Sequence, residues 1–151
     1  MKKLIILALC ASVAALCQNT PASGSKTVYA GNTASASVPA STTNYFCTGQ
    51  SSTNGVEGNR SWVNPAPGVI RSFYLVTTGA QPSSGTMVCT VRINGADSTV
   101  SIVVPASQTP AKLSDTTHTA ATSAGDVLSI GCTNNASIAS ATIGGWGFVV
   151  K

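Results

Sequence analysis

The sequence predicts an all-β fold, an antiparallel β-sandwich, from three observations. Residues 87–104 alternate apolar and polar on both sides of an Asn94-Gly95 turn. Seven or eight short apolar runs follow one another with Gly, Pro and Asn between them. No stretch beyond the N-terminal leader carries a helical period. Regularly spaced short strands with turn residues between them are the signature of a sandwich, and an Asn-Gly pair between alternating runs is the strongest short-range hairpin signal.

The composition suits that fold. Only 8% of the 151 residues are charged and 5% are aromatic, with small polar residues filling the difference. Ser and Thr cover the outer faces of sheets, while the Val/Ile/Leu runs bury enough apolar area to offset the ordering entropy. The net charge of +4 is no nucleic-acid footprint. Lys2 and Lys3 belong to the leader, and the remaining basic residues (Lys26, Arg60, Arg71, Arg92, Lys112 and Lys151) are scattered without interleaved aromatics.

Met1-Lys2-Lys3 precedes an uncharged run from Leu4 to Cys17. A basic start and an apolar run too short to span a bilayer read as a signal peptide over 1–17, or as a retained hydrophobic anchor. Cys17 raises a lipoprotein reading, but Leu16 fits a lipobox poorly. Membrane contact is expected only through this segment, if it is retained. Residues 18–42, rich in Ser, Thr and Ala, read as a linker or extended arm with short β contacts at Val28-Tyr29 and 34–38. The domain is expected to span 43–151.

Thr43 to Gly49 reads as the first strand. Trp62-Val63 pins the loop that follows, and Asn64-Pro65-Ala66-Pro67-Gly68 turns the chain, since two prolines deny helix and central strand. In the run 69–77, strict alternation puts Ile70, Ser72, Tyr74 and Val76 on one face and Val69, Arg71, Phe73, Leu75 and Thr77 on the other. The hairpin follows, with Met87, Cys89, Val91 and Ile93 on one face of its first strand and Val100, Ile102 and Val104 on one face of its second. Residues 105–123 are polar, with one edge strand near Lys112-Leu113. Gly125-Asp126 starts the strand 127–132, and Trp146, Phe148 and Val150 share a face of the last strand.

Nothing in this chain assembles a catalytic constellation. His118 is the one histidine. Ser114, Asp115 and His118 are neighbours in a polar loop, whereas a triad needs a packed base and a separately placed orienter. Glu57, Asp97, Asp115 and Asp126 are dispersed, so no carboxylate pair or metal cluster is expected. Gly144-Gly145 has no helix after it to make a phosphate loop. The expectation is therefore a non-enzymatic protein with no cofactor. Beyond the leader the cysteines are Cys47, Cys89 and Cys132. Cys89 and Cys132 read first as small buried core residues, with a single disulfide as the runner-up. Trp62 is a candidate for stacking on a glycan, and Tyr74, Trp146 and Phe148 are candidates for a subunit interface; core packing is the rival role for each.

The order of four motifs resembles a known family. Pro67-Gly68-Val69-Ile70 leads into Phe73-Tyr74-Leu75-Val76, and Thr90-Val91-Arg92-Ile93-Asn94-Gly95 follows. Ala124-Gly125-Asp126-Val127-Leu128-Ser129-Ile130 and Trp146-Gly147-Phe148-Val149 complete the set. Together they resemble the tumour-necrosis-factor-like jelly roll of complement-type heads, and more closely the small jelly rolls of phage fibres, virion decoration proteins and bacterial collagen-like surface proteins. The resemblance implies a jelly roll over 43–151 and a homotrimer. It implies attachment or decoration on a capsid, fibre or cell surface. It also implies a Cys47–Cys89 pairing, with Cys89 and Cys132 at opposite ends of the sandwich. A virion protein assembled in the cytoplasm needs no secretory leader, so the leader favours a secreted or surface-exposed protein. The alternative function is a secreted glycan-binding, lectin-like module.

Overall fold

The computed structural model describes residues 26–48, 53–79, 81–136 and 139–151. The signal peptide, anchor and lipidation readings of 1–17 lie outside them, as do residues 18–25 of the expected linker.

Among the described residues, ten strands form two antiparallel five-stranded sheets packed face to face. The front sheet has the order β1-β10-β4-β7, with β8 also pairing β4. Its strands are β1 (Thr27–Val38), β10 (Ala141–Val150), β4 (Gly68–Thr77), β7 (Lys112–Asp115) and β8 (Ala120–Thr122). The back sheet has the order β2-β9-β5-β6, with β3 also pairing β9. It contains β2 (Thr42–Phe46), β9 (Val127–Asn134), β5 (Met87–Ile93), β6 (Ala96–Val104) and β3 (Trp62–Val63). Among the described residues the only helical element is a single 3-10 turn, Glu57–Arg60. The order is compatible with a jelly roll.

The β5–β6 hairpin forms as expected. Asn94 and Gly95 both have positive φ (52° and 79°), and Ile93 pairs with Ala96 across the turn. A two-residue turn of this kind matches the right-handed twist of its strands. Met87, Cys89, Val91, Val100, Ile102 and Val104 point into the core, where alternation placed them.

Three expectations need correction. First, the arm over 18–42 is not a linker along its whole length. Residues 27–38 form β1, which pairs with β10 from Thr27↔Val150 to Val38↔Ala141. Its apolar pattern is faint because two extra residues between Asn32 and Ala36 shift the register, and only Tyr29 and Val38 bring large side chains into the core.

Second, the faces of β4 are not those of a regular strand. Ser72 has φ of 54°, and the pairing with β10 slips by one residue there. This β-bulge resets the phase, so Ile70, Phe73, Leu75 and Thr77 all face inward while Arg71 and Tyr74 face out. A second slip on β10 near Gly144 lets Ala141 and Ile143 share the inner face with Trp146, Phe148 and Val150.

Third, the disulfide joins Cys89 to Cys132, and Cys47 remains a buried thiol. The two bridged residues are direct partners on adjacent strands, with Cα atoms 4.0 Å apart. Cys89 is early in β5 and Cys132 late in β9. The strands are antiparallel, so the start of one lies beside the end of the other, not across the sandwich from it.

The core contains an aromatic cluster of Tyr29, Trp62, Trp146 and Phe148. Trp62 and Trp146 stack with centroids 5.9 Å apart, and Phe148 lies 5.3 Å from Tyr29. Gly31 sits opposite Trp146, and a Cβ there would come within 2.8 Å of the indole. Below the cluster, buried Asn64 closes one end of the sandwich. It accepts from the Tyr29 hydroxyl and donates to Thr122 Oγ1 and to the carbonyls of Ala66 and Ser123. A buried amide is stable only when its hydrogen bonds are met in this way.

Candidate subunit interface

The bulges in β4 and β10 determine which side chains reach the outer face of the front sheet. Three cross-strand rows lie there. The first is Val28–Val149–Arg71. The second is Ala30–Gly147–Tyr74–Ser114. The third is Asn32–Gly145–Val76–Lys112. In the middle row the Tyr74 ring is 50% exposed and stands beside two positions with almost no side chain. Val28, at 56% exposure, continues the apolar surface to the sheet edge. One row along from Tyr74, the register shifts of β1 and β10 border a shallow groove of about 430 Å³, lined by Asn32, Ser35, Val76, Thr78, Gly144 and Gly145. A projecting aromatic and a groove therefore lie side by side on one smooth face, with Arg71 and Lys112 at its margins.

The outer face of the back sheet is different. Its rows are Thr43–Thr133–Val88–Val103, Tyr45–Gly131–Thr90–Ser101 and Ser129–Arg92–Asp97. The loop bearing the 3-10 turn covers one end. Glu57 accepts from Arg92 Nε at 2.9 Å and from Ser129 Oγ at 2.6 Å. Burial works against the Glu57 charge, but these two hydrogen bonds outweigh it and hold the carboxyl below its ordinary range. Arg92 also pairs with Asp97, donates to the Gly95 carbonyl and lies over the Tyr45 ring. The polar groups of this face are paired among themselves, and exposed Val63, Val103 and Val127 stand near its ends without an aromatic beside them.

The expected site residues separate accordingly. Tyr74 lies on an outer face, where a subunit interface requires it. Trp146 and Phe148 do not: both belong to the core, Phe148 with 0% exposure. They face inward because the glycines between and before them, Gly145 and Gly147, take the outward positions of β10. Trp62 is also buried, stacked on Trp146, and presents no ring face to a sugar. The sequence reading missed Val28, Ala30 and Gly147. The signal was present in the alternation of glycine with aromatic residues along β10, which marks one packed face and one bare face.

Asp115 and His118 do come together, and Ser114 does not join them. Asp115 accepts from the backbone N–H groups of Ser101, Thr117 and His118, each at 3.1 Å, and its carboxylate lies 3.1 Å from His118 Nδ1. Asp115 is nearly buried, at the end of β7, whereas the His118 side chain is 62% exposed. Ser101 belongs to β6, so the carboxylate clamps the edge of the back sheet to the edge of the front sheet. Burial alone would raise its pKa. The backbone donors and the His118 ring overcome that and hold it at about 2.

An unfolded aspartate titrates near ~3.9. A group depressed on folding stabilises the protein above its unfolded pKa, and that stabilisation is lost as pH falls through the folded value. Wild-type stability should therefore fall by about 2–3 kcal/mol from this group between roughly pH 4 and pH 2. In Asp115→Asn that part of the pH dependence should disappear, and the protein should be less stable near neutrality. Urea unfolding of both proteins from acid to neutral pH measures this; parallel pH profiles would show that Asp115 is not the clamp.

Among the described residues no group of His, Cys, Asp and Glu is placed to hold a metal ion. No family model, no curated protein and no solved structure matches the chain.

Proposed function

We propose that this chain is a non-enzymatic structural or attachment subunit of an extracellular or virion surface. Its sandwich is read as a tumour-necrosis-factor-like jelly roll, and copies associate through the outer face of the front sheet, as a homotrimer. The strand order supports the jelly roll. With the paired short strands merged (β2 with β3, β7 with β8), two four-stranded sheets remain. The chain then passes from one sheet to the other at every connection except the β5–β6 hairpin. That winding is how a jelly roll is built.

The observation that carries the function is the outer face itself. It is a surface floored by Gly145, Gly147 and Ala30, with Tyr74 projecting from it and few charges, whereas the exposed apolar residues of the back sheet are valines near its ends. Aromatic residues are enriched at the centre of protein–protein interfaces and charged ones are depleted there. A second copy is the occupant the chain itself supplies, because the Tyr74 projection and the groove beside it lie on the same face of every copy. Export is supported by the Cys89–Cys132 disulfide, since such bonds persist in oxidising compartments. Capsid, fibre or cell-surface structures are the partners this reading implies.

Gel filtration with light scattering tests it. The wild type should run as a trimer at micromolar concentration, and Tyr74→Glu as a folded monomer with an unchanged far-ultraviolet spectrum. A monomeric wild type would overturn the reading.

A further inference from the structure

The chain contains two Asn-Gly dipeptides, Asn54-Gly55 and Asn94-Gly95. We propose that Asn54-Gly55 is a site of spontaneous covalent modification, deamidation through a succinimide, and that the fold protects Asn94-Gly95 from the same reaction. In this step the backbone nitrogen of Gly55 loses its proton and bonds to Cγ of Asn54. The Cγ–Nδ2 bond breaks and ammonia leaves. Water then opens the five-membered imide to aspartate or to isoaspartate. Nothing beyond water is consumed.

The same dipeptide is held in opposite ways at the two sites. Asn94 is fixed at both ends of its amide. Nδ2 donates to Asp126 Oδ1 at 2.8 Å, and Oδ1 accepts from the Val127 N–H at 2.8 Å. Both partners stand across the turn at the start of β9, so they pull the side chain away from its own backbone. The next peptide is also secured, because the Gly95 carbonyl accepts from the Arg92 guanidinium. Ring closure at Asn94 therefore requires local opening of the β5–β6 hairpin turn.

Asn54 is arranged the other way. Its Oδ1 accepts from the N–H of Val56, two residues ahead, at 2.7 Å. This folds the side chain along its own backbone toward Gly55 and polarises the Cγ carbonyl. Among the described residues, Nδ2 of Asn54 donates to no group. A Cβ placed on Gly55 would meet nothing within 4 Å, so the space beside the glycine is open to the folded-over Asn54 side chain. Asn54 is tied to the sandwich by its backbone bridge to Tyr45, with N–O distances of 2.8 and 3.2 Å. Isoaspartate would add a methylene to the main chain beside that bridge. The loop carrying Glu57 to Arg92 would then lose one of its anchors on the back sheet.

Peptide mapping of the aged full-length chain tests this. The folded protein is held at mildly alkaline pH and physiological temperature, cleaved after Lys and Arg, and the two Asn-Gly peptides are followed by mass and by enzymatic methylation of isoaspartate. Asn54 should convert at least roughly tenfold faster than Asn94, the difference that two hydrogen bonds at Asn94 impose. In urea both sites should convert at comparable rates. Asp126→Ala should accelerate Asn94 in the folded protein and leave Asn54 unchanged. Equal rates in the folded chain, or faster conversion at Asn94, would overturn the proposal, as would a rate gap that persists in urea.

Discussion

Breaking the Cys89–Cys132 disulfide should lower the unfolding free energy by about 4 kcal/mol. The bond closes a segment with a sequence separation of 43, and chain-entropy arguments assign roughly that stabilisation to a loop of this size. Both cysteines are fully buried at paired positions of β5 and β9, so the double variant Cys89→Ala/Cys132→Ala leaves little unmet polarity behind. With a urea m-value of roughly 1–3 kcal/mol/M, the midpoint should fall by one to several molar units. Urea unfolding of the wild type with and without reductant, beside the double variant, measures the effect. Cys47→Ala should leave the bridge in place. If reduction moves the wild type but not the Cys47→Ala protein, or moves neither, the assigned pairing is wrong.

Phe148→Ala should be comparably damaging, costing about 3–5 kcal/mol. Phe148 has no exposure and packs against Tyr29, Trp62 and Trp146, with ring centroids 5.3–6.1 Å away. Removing the ring leaves a cavity between the two sheets, where neither can collapse without breaking register. The loss should appear in the stability of the single chain at every protein concentration. Tyr74→Glu should show the opposite pattern, changing assembly and leaving single-chain stability nearly intact. A Phe148→Ala protein with wild-type stability and altered assembly would return that residue to an interface.

These two experiments probe what the sequence could and could not reveal about the last strand. Trp146, Phe148 and Val150 share a face, and alternation alone shows it. Which face is buried is a separate question. Gly145 and Gly147 leave the opposite face bare, and both a core and a docking surface accept aromatic side chains. Only the presence of the back sheet over Trp146 and Phe148 resolves it. Tyr74 shows the reverse case. Strict alternation groups it with Ile70, yet the bulge at Ser72 sends Ile70 inward and Tyr74 outward. A bulge leaves almost no local mark, because one extra residue is defined against the partner strand and not by its own neighbours.

Long-range pairing limited the other expectations in the same way. The resemblance to jelly-roll heads placed Cys89 and Cys132 at strand ends, but the distance between those ends depends on which strands are adjacent and which way they run. The β1 strand was faint because its pairing with β10 is interrupted by a two-residue shift and its outer side chains are small. In the sequence Asp115 and His118 are only loop neighbours. Their role as a clamp emerged only with Ser101, contributed by the other sheet.

By itself the sequence determined the all-β class, the antiparallel sandwich, the β5–β6 hairpin with its turn, and the inward set Cys89, Val91, Val100 and Ile102. These follow from backbone period and from the positive φ that Asn94-Gly95 accepts, which are local properties. The tertiary structure alone decided the Cys89–Cys132 pairing, the inward course of Trp62, Trp146 and Phe148, and the bare outer face around Tyr74. Each depends on contacts between residues far apart in the chain, and on register shifts that no single strand encodes.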